Sequence, residues 1–304
     1  MPTDEQKNAP RYRGRFAPSP TGSLHFGSLV AAVGSLLQAR AQGGDWWIRI
    51  EDIDPPRAVA GAAADILRSL ERFGMHWDGP VLYQSLRTEA YHSAIDKLRR
   101  VGVLYACGCS RSEIGDSSLR GVEGPIYPGT CRAGLAPGRA ERALRVRTDG
   151  ARVRFEDRWQ GALESDLERE FGDFVVRRAD GFFAYQLAVV VDDAALGITE
   201  VVRGADLLLS TPRQLHLQRL LGLPTPRYAH LPVAVSARGE KLSKQTGANP
   251  VAAEATLPLL RRALAFLGQD APAELEQGEL ESFWRHAIAH WDPARVPATR
   301  AIAA

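Results

Sequence analysis

Lysine is scarce in this sequence. Only four of the 38 basic residues are lysine, and two of those four, Lys241 and Lys244, lie within four residues of each other. Arginine occupies the other basic positions, so lysine stands here where arginine is the common choice. The formal net charge is only +2, which is too small to indicate a nucleic-acid-binding protein by charge alone. The lysine pair therefore predicts a local role for two mobile ammonium groups.

Long apolar runs are also missing. No run reaches the roughly 18–20 residues that a membrane helix needs, and the first ten residues, MPTDEQKNAP, are polar and lack the apolar core of a signal peptide. We therefore expect a cytoplasmic protein with no membrane partner and a disordered lead over residues 1–10. The chain has 304 residues, 45 % of them hydrophobic, which is enough for two or three small domains.

Cysteine occurs only at Cys107, Cys109 and Cys131. An odd count in a cytoplasmic chain argues against a disulfide framework, and the grouping of all three in one short segment favours a metal site. No histidine lies between positions 107 and 131, so a fourth ligand is not a histidine of this loop. The candidates for that ligand are water, Glu113, Asp116 and Glu123. Three free thiols without a metal are the alternative.

Apolar patterns in the first part of the chain predict strands and helices in alternation. Strands are predicted over 11–17 and 45–52, and helices over 24–41, 58–74 and 88–102. This order indicates an α/β protein with a doubly wound parallel sheet, related to the Rossmann fold. A further strand at 198–204 and a helix at 211–223 extend the same pattern.

The middle of the chain differs in composition. Glycine, serine, proline and cysteine prevail from residue 105 to 140, and short strand-like runs follow, among them FFAYQLAVVVDD at 182–193. We predict an inserted α+β subdomain at 103–185 with its own small sheet and a metal-binding knuckle at 105–135. The flanking segments are then the two halves of a nucleotide-binding domain, 11–102 and 186–245, and a short helical C-terminal segment, 246–304.

The stretch RFAPSPTGSLHFGS, residues 15–28, places turn-forming residues directly before the first predicted helix. Thr21 or Ser23 is the predicted N-cap. The N–H groups and partial positive charge of a helix N-terminus suit a phosphate, and His25 in the first turn can donate a hydrogen bond to it. A capped helix with a surface histidine is the alternative. No GxxxxGK[ST] motif is present, so the chain is not a P-loop protein.

Two motifs carry a family resemblance. RFAPSPTGSLHFGS resembles the first signature of class I aminoacyl-tRNA synthetases in their glutamate-specific form, and KLSKQ at 241–245 resembles the lysine-serine-lysine loop of that class. Ser28 departs from the family's second histidine, and Gln245 departs from its final serine. The resemblance implies adenylate formation with ATP and Mg²⁺, with His25, Lys241 and Lys244 as catalytic residues. The implied ATP-binding residues are Pro18, Ser19, Thr21, Gly22, His25, Gly27, Ser28, Lys241, Ser243 and Lys244.

Several residues suit an acidic amino acid as substrate. Arg15 and Arg203 lie at the ends of predicted strands, where doubly wound sheets bind ligands, and arginine can hold a carboxylate with two hydrogen bonds. Glu51 can accept from a substrate ammonium, and Tyr185 can supply a hydroxyl. Taken singly, each has a purely structural alternative. They match the glutamate-binding positions of glutamyl-tRNA synthetases, and the resemblance therefore implies an L-glutamate site formed by Arg15, Ala17, Ser19, Glu51, Tyr185 and Arg203.

The resemblance extends to the cysteines. The spacing Cys-x-Cys…Tyr-x₃-Cys is similar to the zinc site in the insertion of bacterial glutamate-activating synthetases, which implies one structural Zn²⁺ held by Cys107, Cys109, Tyr127 and Cys131. A phenolate oxygen is an unusual zinc ligand because zinc prefers nitrogen and sulfur. Water and the acidic side chains named above therefore remain open as the fourth ligand.

The 60 residues after Lys244 are too few for the large helical domain with which full glutamyl-tRNA synthetases bind the anticodon. We therefore expect no anticodon-binding domain. This is the pattern of a stand-alone paralogue that activates L-glutamate without tRNA and transfers it to the cyclopentenediol of queuosine at the wobble position of tRNA(Asp). The expected partners are ATP, L-glutamate and the anticodon loop of that tRNA, and the expected state is a monomer.

Three other functions fit parts of the sequence. A short glutamyl-tRNA synthetase would charge the 3′ end of tRNA(Glu), and a glutamyl-adenylate ligase would act on an acceptor other than tRNA. A non-catalytic zinc protein that binds RNA would share the fold but would have no physical reason to retain His25, Lys241 and Lys244. The identity of the acceptor distinguishes the remaining candidates.

Overall fold

The computed structural model of this protein describes residues 11–116, 119–236, 238–240, 251 and 255–304. Strands and helices alternate through the first half of the chain. The strands are β1 (Arg13–Phe16), β2 (Asp45–Ile50), β3 (Leu82–Tyr83), β4 (Leu104–Cys107), β5 (Arg120–Gly121), β6 (Gly124–Pro125), β7 (Ala143–Val146), β8 (Arg152–Asp157), β9 (Gly161–Asp166), β10 (Phe174–Arg177), β11 (Glu200–Gly204), β12 (Arg227–Leu231), β13 (Val233–Val235) and β14 (Ala301–Ala303). The α-helices are α1 (Phe26–Ala41), α2 (Ala62–Arg72), α3 (Thr88–Arg100), α4 (Arg111–Gly115), α5 (Leu167–Glu170), α6 (Tyr185–Ala195), α7 (Thr211–Leu221), α8 (Thr256–Phe266) and α9 (Leu280–Ala289).

Parallel strands form the centre of the fold. Strand β1 pairs with β2, and β2 pairs with β3, both in parallel. Strands β11 and β12 form a second parallel pair, from Glu200 opposite Arg227 to Gly204 opposite Leu231. A backbone hydrogen bond of 2.9 Å from Thr199 N–H to the Arg13 carbonyl connects the two groups at the β1 edge. The predicted α/β architecture with parallel strands is confirmed.

Helix α1 packs between these strands and the C-terminal helices. Leu29, Val33 and Leu37 are fully buried, and each contributes about 1.5–3 kcal/mol by leaving water. The helix approaches β12 closely at Gly34, where an added Cβ would lie 2.6 Å from a methyl carbon of Leu231. Most residues of α1 are buried, because the strands cover one side of the helix and the C-terminal helices cover the other.

The residues predicted as an insertion form two structures. Strands β4, β7 and β10 make a small antiparallel sheet. Strands β8 and β9 form an antiparallel hairpin, and β8 also pairs in parallel with β12 through Asp157 and Tyr228. The hairpin is therefore continuous with the sheet that carries β11 and β12. The division of the chain at 102, 185 and 245 stays a prediction.

The strand expected within FFAYQLAVVVDD is wrong, because residues 185–195 form helix α6. Its valine-rich centre has the composition of a buried strand, and a short apolar run buried on several sides has no period that separates strand from helix. Leu187, Val190 and their neighbours pack against α3, α7 and β10. The helix brings Tyr185 to one end and Asp192 and Asp193 to the other.

The C-terminal part contains α8 and α9, as the helical runs predicted, and also strand β14, which the sequence did not indicate. Strand β14 pairs in parallel with β13, from Val233 opposite Ala301 to Val235 opposite Ala303. The indole N–H of Trp291 donates to Gln38 on α1 at 2.9 Å, so this segment is fixed to the core. Among the described helices, none has the length and apolar character to cross a bilayer.

Candidate active site

A cleft of about 640 Å³ opens at the carboxyl ends of β1, β11 and β12. Such edges of parallel sheets are the usual ligand sites of α/β proteins. The structure brings most of the predicted site residues to this cleft. Those that line it are Arg15, Ala17, Pro18, Ser19, Thr21, His25, Gly27, Ser28, Glu51, Tyr185 and Arg203. Gly22 belongs to the same loop but is not among the lining residues, and its φ of 133° allows the chain to turn there.

The loop before α1 ends in a cap formed by His25. The Nδ1 atom of His25 accepts from the Ser28 N–H at 3.3 Å, and the Ser28 hydroxyl oxygen accepts from the His25 N–H at 2.8 Å. The prediction that Thr21 or Ser23 caps the helix is wrong, because the first helical residue is Phe26 and the N-cap is therefore His25, two positions after Ser23. Ser28, the departure from the family pattern, thus supports the cap. Because Nδ1 accepts, the neutral ring carries its hydrogen on Nε2.

Arg15 is held by a buried carboxylate. Its Nε and Nη2 atoms donate to the two oxygens of Asp193 at 3.2 and 3.4 Å, and its Nη1 donates to the Val202 carbonyl at 3.3 Å. Arg49, fully buried, donates to the same Asp193 and to Glu51, the latter at 2.9 Å. Asp193 therefore fixes the guanidinium of Arg15 directly. Through Arg49 it also fixes the carboxylate of Glu51.

The two acids of this network titrate in opposite directions. Burial raises the pKa of Glu51 above its ordinary value, and Arg49 opposes that effect without cancelling it. Burial would also raise the pKa of Asp193, but Arg15 and Arg49 outweigh it and lower that pKa to about 2. Both arginines donate hydrogen bonds to Asp193, whereas only Arg49 donates to Glu51 and the charge of Asp193 raises the pKa of Glu51 further, which explains the difference. At neutral pH Asp193 is therefore ionised, whereas Glu51, which lines the cleft, takes up a proton more readily than an ordinary glutamate.

Arg203 on β11 lines the same cleft as Arg15 and contacts four acceptors. Its Nε donates to Nε2 of His230 at 2.9 Å, and its Nη1 approaches the Tyr185 hydroxyl at 3.4 Å. Its Nη2 donates to the Thr211 hydroxyl at 2.8 Å and to the Leu207 carbonyl at 3.4 Å. These bonds occupy four of the five guanidinium N–H groups. The fifth, on Nη1, has no partner among the residues that the structure describes.

The three cysteines form a compact group away from the apolar cores. The Sγ atoms of Cys107, Cys109 and Cys131 all lie within 4.8 Å of one another, which is close enough for one metal ion. The Tyr127 oxygen lies 3.9 Å from the Cys109 sulfur and accepts from the Cys131 N–H at 2.8 Å. Three soft sulfur donors with one oxygen nearby fit the donor preference of zinc.

The acidic alternatives for the fourth ligand are engaged elsewhere or lie at the surface. Glu113 caps α4 at Ser110 and pairs with Arg139, while Glu123 pairs with Arg213 at 2.8 Å. Asp116 is exposed. Tyr127 and water remain as candidates for the fourth ligand of a metal ion at this site. Burial raises the pKa of the Cys109 thiol to about 11, whereas hydrogen bonds, led by that to Tyr127, outweigh burial at Cys131 and lower its pKa.

The predicted lysine loop lies outside the described residues, and with it Lys241, Ser243, Lys244 and Gln245. Among the described residues, Val233 and Ala234 of β13 are the last in the sequence that line the cleft.

Sequence reasoning missed several residues that the fold brings to the cleft or directly behind it. They are Arg49, Asp157, Asp193, Asp206 and His230. Arg49 and Asp193 carried a signal, because a charged residue within DWWIRI and an acid at the end of an apolar run are both unusual. Asp157 and His230 carried none, since each is meaningful only through the pairing of β8 with β12.

Residues 11–257 match the family described as tRNA synthetases class I (E and Q), catalytic domain. The chain is 59 % identical over 289 residues to a glutamyl-Q tRNA(Asp) synthetase of Aromatoleum aromaticum, covering 95 % of this chain and 91 % of that protein. It is 59 % identical over 292 residues to a protein of the same name from Dechloromonas aromatica, covering 95 % and 97 %.

A solved glutamate-tRNA synthetase of Elizabethkingia anophelis superposes on the chain with a TM-score of 0.77 at 25 % identity. The match covers 96 % of this chain and 68 % of that one. The α/β fold is therefore that of the class I synthetases.

Proposed function

We propose that this chain, which belongs to the glutamyl-Q tRNA(Asp) synthetases within the class I synthetases for glutamate and glutamine, activates L-glutamate with ATP and transfers it to tRNA(Asp). The acceptor is the cyclopentenediol of queuosine at the wobble position. The observation that carries the proposal is the similarity to relatives of that name along nearly the whole of both chains. The chain is accordingly a ligase of the synthetase type.

The reaction has two steps. The α-carboxylate of glutamate attacks the α-phosphorus of ATP, and the bond to pyrophosphate breaks, which gives glutamyl-adenylate. A ring hydroxyl of queuosine then attacks the carbonyl carbon of the adenylate, loses its proton and displaces AMP, which leaves an ester. No protein nucleophile is needed, because positioning and charge stabilisation can supply the rate enhancement.

For the amino acid, we assign Arg15, Ala17, Ser19, Glu51, Tyr185 and Arg203. The side-chain carboxylate of glutamate lies against the arginines, since a guanidinium fork matches a carboxylate. The substrate ammonium lies against Glu51. Arg49 donates to Oε1 of Glu51, so Oε2 can accept from the ammonium. The buried pair of Asp193 with Arg15 prevents collapse of that arginine onto Glu51 when no substrate is bound.

For ATP, we assign the loop before α1 and the lysine loop: Pro18, Ser19, Thr21, Gly22, His25, Gly27, Ser28, Lys241, Ser243 and Lys244. The N-terminus of α1 offers N–H groups and a partial positive charge to the phosphates. The Nε2–H of His25 donates to a phosphate oxygen, because the cap fixes Nδ1 as the acceptor. Mg²⁺ bound with ATP would neutralise charge on the departing pyrophosphate.

Amino-acid activation is tested by ATP–pyrophosphate exchange without tRNA. We expect exchange with L-glutamate and exchange lower by a factor of at least about 100 with L-glutamine, because the neutral amide offers no charge to the arginines. Exchange that requires tRNA, or that is equally fast with glutamine, would contradict the assigned amino-acid site.

The pKa of Glu51 predicts the pH dependence of glutamate binding. Because that pKa lies above its ordinary value, Glu51 becomes protonated and weakens its hold on the substrate ammonium as the pH falls through it. We expect the KM for glutamate to rise about tenfold on the acid side, with no such rise above the pKa. The measurement is exchange kinetics from about pH 5 to pH 8.

Glu51→Gln is the matched variant for this pH profile. It removes the titrating group, so its KM is expected to be high and nearly independent of pH over the same range. Substrate titration affects both proteins and cancels in the comparison. An acid limb in Glu51→Gln equal to that of the wild type would assign the titration to another group.

The cysteine group is proposed as a structural zinc site, with Cys107, Cys109 and Cys131 as thiolate ligands and Tyr127 as the fourth. We expect about one zinc per chain by elemental analysis. Cys109→Ser should lose the metal and lower the unfolding temperature, whereas Cys109→His, which restores a ligand nitrogen, should retain part of both. Metal-free wild-type protein of undiminished stability would contradict the site.

A further inference from the structure

A buried acid and a buried imidazole stand in line behind Arg203. Asp157, at the end of β8, contacts Nδ1 of His230 on β12 through Oδ2 at 2.5 Å. Nε2 of the same ring accepts from Nε of Arg203 on β11 at 2.9 Å. All three side chains are almost completely buried, with Asp157 at 1 %, His230 at 0 % and Arg203 at 5 % exposure. The three strands are neighbours in one sheet, so the line crosses it from β8 to the cleft.

The chemistry of the two end groups fixes the direction of the hydrogen bonds. Arginine has N–H donors and no acceptor, so Nε2 of His230 must be unprotonated. The ring hydrogen then lies on Nδ1 and is donated to Asp157. The other oxygen of Asp157, Oδ1, accepts three backbone N–H groups, from Trp159 at 3.1 Å, Gln160 at 3.0 Å and His230 at 3.1 Å. Each atom of the line therefore has one possible role.

The titration of the groups agrees with this arrangement. Burial lowers the pKa of His230 to about 4. The hydrogen bond and charge of Asp157 oppose this effect without cancelling it, and the charges of Arg203 and Arg15 add to the lowering. The pKa of Asp157 lies below its usual range, because its hydrogen bonds, led by that from His230, outweigh the burial that would raise it. At neutral pH the line is thus a carboxylate, a neutral imidazole and a guanidinium.

We propose that Asp157 and His230 are positioning residues for glutamate recognition, which hold the guanidinium of Arg203 in place by imposing the Nδ1–H tautomer on His230. The proposal rests on the assignment of Arg203 to the glutamate site. The imidazole fixes the Nε end of the guanidinium, while Thr211 and the Leu207 carbonyl fix Nη2. The remaining Nη1 group, next to Tyr185, is the part left for the substrate carboxylate.

Asp157→Asn tests the tautomer directly. The amide oxygen of asparagine must take the position of Oδ1, where three N–H groups converge, so its NH₂ group faces Nδ1 of His230. The ring then has to accept at Nδ1 and carry its hydrogen on Nε2, where it meets the Nε–H of Arg203. Two donors face each other, and Arg203 is displaced although the size of residue 157 is unchanged.

The expected result is a KM for glutamate raised by about 10-fold or more in pyrophosphate exchange. The kcat and the KM for ATP should change by less than about threefold, because the loop that binds ATP is not touched. Glu156→Gln is the matched control, since it makes the same acid-to-amide change at the preceding, exposed residue. A uniform loss of kcat with an unchanged KM for glutamate would overturn the positioning role.

Two substitutions of His230 give a test that does not depend on Asp157→Asn folding. His230→Gln can place its amide oxygen where Nε2 was and so keeps an acceptor for Arg203. His230→Asn keeps a donor toward Asp157 but loses that acceptor. We expect the KM for glutamate to be higher in His230→Asn than in His230→Gln. Equal KM values in the two variants would mean that glutamate binding does not depend on a hydrogen-bond acceptor for the Nε–H of Arg203, which would overturn the proposal.

The tautomer can also be observed without any activity. In wild-type protein labelled with ¹⁵N-histidine, the ring of His230, assigned by its loss in His230→Gln, should show a protonated Nδ1 and an unprotonated Nε2 at neutral pH. The reverse tautomer or a doubly protonated ring would overturn the proposal. Arg203→Lys separates this from the proposed function: if its KM for glutamate equals that of the wild type, Arg203 does not bind glutamate, whatever the tautomer of His230.

Discussion

Asp193→Asn is expected to lower the free energy of unfolding by about 3–5 kcal/mol, the loss typical of removing one partner of a buried ion pair. Asparagine has the same size, so the packing is kept while the charge is lost. Arg15 and Arg49 then retain buried positive charges, and Arg49 is fully inaccessible to water. Denaturation by urea at neutral pH measures the effect, with the midpoint and the slope compared separately.

The same substitution predicts a change in the pH dependence of stability. The pKa of Asp193 is lowered to about 2 in the folded protein, compared with about 4 in an unfolded chain. Its contribution to stability is therefore fully present above about pH 4 and is lost as the pH falls toward about 2. Asp193→Asn should lack this acid-dependent part. Acids outside this cluster retain theirs, so the difference between the two proteins reports Asp193 together with Glu51, whose pKa the charge of Asp193 raises.

Asp65→Asn is the matched control for Asp193→Asn. Asp65 also pairs with an arginine, Arg68, but both side chains are at least half exposed. Surface pairs of this kind contribute at most about 1 kcal/mol, so the control should change the unfolding midpoint little. Equal destabilisation by the two substitutions would contradict the account of Asp193 as the central acid of the cleft.

Lys244→Ala is expected to slow adenylate formation by a factor of about 100–1000, or about 3 kcal/mol, as loss of a transition-state charge contact does. The ammonium group follows negative charge onto the departing pyrophosphate, so the loss should appear in kcat more than in the KM for glutamate. Pyrophosphate exchange at saturating glutamate and ATP measures it. The expectation rests on the sequence motif, since Lys244 lies outside the described residues.

Lys97→Ala is the control for Lys244→Ala, because it removes another of the few lysines from a different place. Lys97 lies on α3 and donates to the Leu221 carbonyl, away from the cleft-lining residues. Its exchange rate should stay close to that of the wild type. If Lys244→Ala also retained the wild-type rate, the assignment of the lysine loop to the departing pyrophosphate would be wrong.

Parallel strands explain why part of the candidate site could be predicted from the sequence. Arg15, Glu51 and Arg203 lie at or just after the ends of strands, and the carboxyl ends of parallel strands share one edge of a sheet. The sequence order of strand, helix and strand is therefore enough to predict that these three residues lie at the same edge of the sheet. The structure brings all three to one cleft, while their roles toward substrates stay predictions.

The supporting residues could not be predicted in the same way. Asp157 and His230 are separated by 73 positions in the sequence. Considered alone, each is an ordinary polar residue in or at the end of a strand and indicates no function. Their contact depends on β8 pairing with β12, which is a matter of register and not of local pattern. The helix at 185–195 was missed because valine-rich segments fit a strand equally well. The cap at His25 was missed because histidine is an uncommon N-cap.

Transfer of labelled glutamate to tRNA tests the central claim most directly. The enzyme and ATP are given two bulk tRNA pools, one from cells that make queuosine and one from cells that cannot, and labelled tRNA is then cleaved with nuclease. The account predicts label only in the first pool, in tRNA(Asp), on the fragment that contains the anticodon loop. Equal label in both pools, on the 3′ end of tRNA(Glu), would contradict it and identify a short glutamyl-tRNA synthetase.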